Sequence, residues 1–145
     1  MLQNQALQFL LSKMEATLNV KDLGISTKKS VEVCNLIRNK TIEQAKKSLQ
    51  NVIDMKKAVP YKRYNTNTPH KPGMMAGRYP VKTCEVILDM LKSIEHNAHN
   101  QGLTSKLVIA HISASKGSLQ WHYGRKRRRK MKRTNLKIIV KEQEK

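Results

Sequence analysis

Apolar and polar positions change their period along this chain, and each change marks an element. Residues 15–20 alternate, with Ala16, Leu18 and Val20 on one side and Glu15, Thr17 and Asn19 on the other, the period of two expected of a half-buried strand. A turn follows at Asp22-Leu23-Gly24. Val31, Cys34 and Ile37 then recur at helical spacing behind a capping Ser26 or Thr27, and that run ends near Arg38-Asn39-Lys40. Thr41 opens a second helix, with Gln44 three residues on to complete a capping box and Ile42, Ala45, Leu49, Val52 and Ile53 as its apolar stripe. Pro80 suits the first turn of a third helix, in which Val81, Cys84, Ile87, Leu88, Leu91, Ile94 and Ala98 form the best amphipathic face in the chain and Gly102 is the stop. Residues 107–112 are apolar and β-branched, and Leu136, Ile138 and Val140 alternate with Lys137, Ile139 and Lys141, so both stretches read as strands.

That order predicts an α+β fold in which three helices pack on a small three-stranded antiparallel sheet. Two stretches fall outside it. Residues 56–82 contain Pro60, Pro69, Pro72 and Gly73, cannot continue the second helix, and read as a long surface loop. About twenty residues separate the last two strands, far beyond an ordinary hairpin loop of roughly 2 to 5, and loops of that length usually carry function or lack order. Residues 1–14 read as a short amphipathic extension: they lack a positive leading segment, Gln8 interrupts the apolar run, and Lys13 stands where a signal peptide would need small residues. No stretch approaches the roughly 20 apolar residues that a membrane span requires.

Composition sharpens this outline. At 145 residues and 39% hydrophobic, the chain supports one domain with a modest core. Its 29 Lys and Arg against 10 Asp and Glu leave a net charge of +19, which calls for a polyanion, either nucleic acid or an anionic membrane. Residues 56–82 hold seven cations and residues 116–133 nine, neither with an acid, while the remaining 100 residues are nearly neutral at +3. Five of the six aromatics, Tyr61, Tyr64, Tyr79, Trp121 and Tyr123, lie in those two segments. Rings interleaved with cations suit stacking on exposed bases while Lys and Arg hold phosphates; alternatively, Tyr61 and Tyr79 anchor their loop to the core. Residues 125–133, eight cations in nine positions, are expected to order only against phosphates.

Little in the chain suggests chemistry. Cys34 and Cys84 sit among apolar residues and read as buried free thiols of a reducing compartment. His96 and His99 stand three apart on one helix without a third ligand, so no metal is expected. The ten acids fall almost entirely on predicted helix surfaces or chain ends, and there is no phosphate-binding glycine loop, nucleophile elbow or H-E-x-x-H, which argues against an enzyme and against a cofactor.

Pro60-Tyr61-Lys62-Arg63-Tyr64-Asn65, Pro69-His70-Lys71-Pro72-Gly73 and Ala76-Gly77-Arg78-Tyr79-Pro80-Val81-Lys82 are followed by Glu95-His96-Asn97-Ala98 and Leu107-Val108-Ile109-Ala110-His111. In this order they resemble a family of large-subunit ribosomal proteins, numbered twenty-two in bacteria and seventeen in eukaryotes, in its archaeal form. The resemblance covers about residues 18–142. It implies a structural constituent of the cytoplasmic ribosome whose globular domain, residues 15–115 and 134–145, docks on large-subunit rRNA and supports subunit assembly. A long protruding β-hairpin arm, residues 116–133, would line the polypeptide exit tunnel. Implied partners are rRNA, neighbouring large-subunit proteins and the nascent polypeptide, with no membrane and one copy per ribosome.

The implied RNA contacts in the loop are Lys56, Lys57, Lys62, Arg63, Tyr64, His70, Lys71, Arg78, Tyr79 and Lys82. In the arm they are Lys116, Arg125, Lys126, Arg127, Arg128, Arg129, Lys130, Lys132 and Arg133, with Ser118, Leu119, Gln120, Trp121, His122 and Tyr123 as the tunnel-facing tip. Lys116-Gly117 stands where the family has a Lys-Gly pair, Gly124-Arg125 where it has Gly-Arg on the return strand, and Arg133-Thr134-Asn135 where the arm re-enters the sheet. The chain departs from archaeal relatives in a shorter stretch between Gly117 and Gly124 and in the basicity of residues 126–130.

The alternative is a basic DNA-binding or chromatin-associated protein, with the first two helices as a helix-turn-helix. Charge opposes it, because residues 41–54 carry only Lys46 and Lys47 against Glu43 and Asp54, and a recognition helix should hold the cations. A membrane-surface peptide would need apolar residues at helical spacing within the basic run, where only Met131 is found.

Overall fold

The computed structural model describes residues 15–103 and 106–142; the extension expected at residues 1–14 lies outside them. In chain order the elements are β1 (Glu15–Leu23), α1 (Thr27–Ile37), α2 (Ile42–Ile53), β2 (Val59–Pro60), β3 (His70–Lys71), β4 (Met75–Arg78), α3 (Val81–Asn100), β5 (Leu107–Lys116), a single 3-10 turn (Gly124–Lys126) and β6 (Thr134–Glu142).

The main sheet has the order β1-β6-β5, antiparallel throughout. Strand β6 is central because its alternation turns Leu136, Ile138 and Val140 into the core, and Ile138 stands opposite Leu18 on one side and Ile112 on the other. In β5 the apolar residues Ile109 and Ile112 are three apart, a spacing a regular strand would place on opposite faces. The register shift between Ile109 and His111 corrects this, leaving Ala110 and His111 exposed in succession and both isoleucines in the core.

Helix α3 supplies Cys84, Ile87, Leu91, Ile94 and Ala98 to the same core and packs on α2 and β1, while α1 packs on β5. The stop at Gly102 has φ +82°, a conformation glycine adopts without steric cost. Thr41 caps α2 by accepting the Gln44 amide at 3.3 Å, whereas Ser26 occupies the N-cap of α1 without a side-chain cap bond. Helix α2 is poorly suited to a DNA groove: its stripe of Ile42, Ala45, Leu49 and Val52 is buried, and Lys46 is paired with Glu95 of α3. No helix among the described residues is long and apolar enough to cross a membrane.

Two sequence expectations require correction. Residues 56–82 are not an unstructured loop, because β2, β4 and β3 form a second small antiparallel sheet in that order, with Val59 opposite Arg78, Pro60 opposite Gly77, and His70 opposite Ala76. Strands of two to four residues are too short to show alternation, and Pro60 is tolerated because its strand lies at the sheet edge. Second, Glu32 is not on a helix surface but fully buried.

Candidate nucleic-acid interface

The basic loop is held to the domain from beneath. The Glu32 carboxylate on α1 accepts the backbone amides of Lys62 (3.1 Å), Arg63 (2.8 Å) and Tyr64 (2.7 Å). A buried carboxylate with three N–H donors is stabilised without a cationic side chain, so the Lys62 and Arg63 side chains remain free to face outward, and both are exposed. Tyr61 is the second anchor, buried in the core, with its amide donating to the Ala76 carbonyl at 2.9 Å. Burial, with smaller contributions from Glu32 and Cys84, pushes its phenol up to about 12. The loop-anchor role considered for Tyr61 is therefore the one it has. Cys34 and Cys84 are buried free thiols, each raised to about 12 chiefly by desolvation.

The loop and the first turn of α1 enclose a depression of about 570 Å³. Tyr64 and Tyr79 form part of its wall, both half-buried. Lys28 and Arg63 lie 5.7 and 5.5 Å from the Tyr64 ring centre, and Lys71 lies 5.4 Å from that of Tyr79. His70 lines a neighbouring hollow with Tyr61, Lys62 and Asn65. Lys57 and Lys82 are exposed at the two ends of the segment, and Lys56 pairs with Asp54 at 3.1 Å. Of all the cations assigned to RNA from the sequence, only Lys56 has a carboxylate partner among the described residues.

The arm is built differently. At its base Asp22, with φ +56°, accepts the Ser118 amide on Oδ1 at 3.0 Å, donates its own amide to Asn135 Oδ1 at 2.9 Å, and accepts Arg133 Nη1 on its carbonyl at 3.3 Å. Gly117 fits there because a Cβ would come within 2.4 Å of Asp22 Oδ1 and 2.9 Å of Asn135 Oδ1. Beyond the base the two limbs are joined by the Met131 amide to the Gln120 carbonyl (2.7 Å) and the His122 amide to the Arg129 carbonyl (2.9 Å), with Trp121 opposite Lys130. Lys130 Nζ lies 4.8 Å from the Trp121 ring centre. The backbone of the basic run is thus cross-linked within the chain, although the side chains of residues 125–130 are all exposed.

The six residues expected at the arm tip spread along the outgoing limb, with Ser118 at the base beside Asp22. The chain reverses farther on, through the 3-10 turn in which Gly124 has φ +62°. Gly124-Arg125 is therefore in the reversal and not on the return limb. Trp121 is 59% exposed and Tyr123 86%, so neither ring is used by the core.

A family model described as Ribosomal protein L22p/L17e matches residues 18–141. The chain belongs to that family. Among similar proteins named large ribosomal subunit protein uL22, that of Archaeoglobus fulgidus is 42% identical over 106 residues, covering 70% of this chain and 68% of its own length. The one from Nanoarchaeum equitans is 42% identical over 138 residues, covering 88% and 78%, and that of Thermoplasma volcanium is 36% identical over 133 residues, covering 88% and 90%. The L22p/L17e family is structural and not enzymatic. Among the described residues no group of three or more His, Cys, Asp or Glu side chains is placed to share a metal ion, and His96 and His99 are exposed.

Four residues of this L22p/L17e chain escaped the sequence reading. Glu32 and Asp22 act through backbone amides that sequence spacing does not reveal. Lys28 and Lys29 join the loop's concave face from α1. They did carry a signal: a helix whose first turn holds two lysines and no acid opposes its own macrodipole.

Proposed function

We propose that this protein is a structural constituent of the large ribosomal subunit in the cytoplasm, binding large-subunit rRNA, supporting subunit assembly and lining the polypeptide exit tunnel with its arm. The observation that carries this reading is the division of the molecule, in a member of the L22p/L17e family, into a nearly neutral folded scaffold and two acid-free cationic segments whose rings, Tyr61 apart, stay outside the core. Phosphates neutralise the unpaired cations of the loop and arm and release counterions, while Tyr64, Tyr79, Trp121 and Tyr123 offer flat faces to unpaired bases. Residues 15–115 and 134–145 form the docking domain and residues 116–133 the arm. Neighbouring subunit proteins and the nascent chain are the remaining partners, with one copy per ribosome.

Deletion of residues 117–131 tests the division. The truncated protein is expected to fold and to co-sediment with large subunits while altering the tunnel; co-sedimentation of the intact protein with DNA instead of large subunits would overturn the reading. Affinity for an rRNA fragment should fall by about 0.7 to 0.9 in log K per phosphate contact for each tenfold rise in salt.

A further inference from the structure

We infer that the depression between the first turn of α1 and the basic loop is a pocket for a single nucleotide extruded from a bulge or loop of folded RNA. This rests on the rRNA-binding reading and narrows it to one site with two lysines outside the basic segments. At about 570 Å³ the cavity falls in the range of small-ligand pockets. Its lining includes Lys28, Lys29, Lys71 and Arg78 and no acid; none of these four has a carboxylate partner among the described residues. The carboxylate beneath the loop, Glu32, is already engaged by three amides, one of them from Tyr64 itself. The concave face is therefore cationic, with no carboxylate among the described residues paired to neutralise it.

The walls are as informative as the charge. Tyr64 and Tyr79 are not core residues, yet neither is free. The Tyr64 backbone is pinned by Glu32 and its carbonyl accepts the Thr68 hydroxyl at 3.3 Å, so little further backbone entropy is lost there on binding. A duplex hides its base faces and presents its phosphates, 2′-hydroxyls and groove edges, which offer nothing for a ring to stack on. A cavity with aromatic walls and a cationic rim instead suits a base with its own phosphate attached. In the free protein Lys28 and Lys71 lie against the rings, and a stacked base would turn them toward the phosphate. Gly77 lines the same cavity, and a Cβ there would meet Met74 Sδ at 2.8 Å and Lys71 Cγ at 3.0 Å, so a larger residue would crowd a cationic wall.

The test compares an RNA hairpin bearing one bulged nucleotide with the same hairpin fully paired, both bound to the full chain at moderate salt. The intact protein is expected to prefer the bulged RNA about tenfold, within the range that stacking one base on an aromatic ring supplies. Tyr79→Leu and the double variant Lys28→Ala/Lys29→Ala should each abolish most of that preference while keeping native circular dichroism and salt-dependent binding to the paired hairpin. A 4-thiouridine at the bulge should crosslink to the pocket residues of α1 and the loop. If both hairpins bind equally, or the preference survives in both variants, the pocket is not a nucleotide site although the RNA reading stands. If the intact protein shows no salt-dependent RNA binding at all, the underlying reading fails with it. Selective competition by an acidic peptide at the pocket, with the bulge crosslink going elsewhere, would overturn the nucleotide assignment in favour of a protein partner.

Discussion

The basic loop, residues 56–82, and the arm, residues 116–133, share one kind of chemistry: seven and nine cations, no acid, and five of the six aromatics between them. They are held in opposite ways. The loop is clamped from below by the buried Glu32, by Tyr61 in the core and by a three-stranded sheet of its own. The arm contributes no buried residue beyond its base and relies on a cluster of hydrogen bonds at Asp22 and a few links between its limbs. What separates them is where a scaffold side chain meets the segment's backbone: a buried carboxylate in the middle of the loop, but only an exposed one at the base of the arm. A polyanion would meet a preformed surface in the loop but would have to fix the arm's side chains as it bound, with the ordering cost that entails.

The largest effect separating the two regions should come from alkaline pH. Cys34, Cys84 and Tyr61 stay protonated to about 12 in the folded domain, against ordinary values of 9.0 for the thiols and 10.0 for the phenol. Between pH 9 and 12 the unfolded chain gives up protons that the folded one keeps. Their contribution is thus fully present below pH 9 and is lost as the pH rises toward 12. Urea denaturation at stepped pH should show a falling midpoint over that window, together with thiols that resist alkylation at pH 8 until the protein unfolds. Rapid alkylation of native protein would show that the core beneath the loop is open.

Glu32→Ala should be next, costing about 3 kcal/mol, because it removes a buried acceptor from three amides at once. The variant should also expose the amides of residues 62–64 to hydrogen exchange while leaving those of residues 120–131 unchanged. Equal deprotection of loop and arm would erase the proposed difference in anchoring. Gly117→Ala should cost about 1 to 2 kcal/mol through the clash with Asp22 and Asn135, and should free the Ser118 amide without disturbing residues 62–64. The smallest stability change is expected for the triple variant of Arg127, Arg128 and Arg129 to Ala, within about 0.5 kcal/mol for exposed side chains that have no ion-pair partner among the described residues. That variant should nevertheless lower the salt slope of RNA binding by about 2 to 3. A large loss of thermal stability would mean that the run is part of the fold.

Much of this was legible in the residues themselves. The helices stand where the 3.6-residue spacing puts them, and the buried thiols follow from their place on apolar faces. Strands β1, β5 and β6 each run beyond the stretch read from the sequence, since backbone pairing continues past the last fully buried side chain. The second sheet was illegible because two-residue strands have no period. The bulge in β5 was hidden because only the paired strand reveals which residues must turn inward. Lys28 and Lys29 were the near miss, since their unfavourable place on the helix was visible but the cavity they complete was not.

The sequence alone determined that the charge is segregated: where acids are absent and which residues the core does not need is a property of order along the chain. It also determined the three helices and their apolar faces, because helical periodicity is local. Only the tertiary structure decided how each segment is tied to the scaffold. That depends on a carboxylate thirty residues away from the amides it holds, and on an aspartate at residue 22 meeting a glycine at 117. Such contacts leave no periodic trace, because a side chain that recognises backbone amides places no demand on the identity of the residues that bear them.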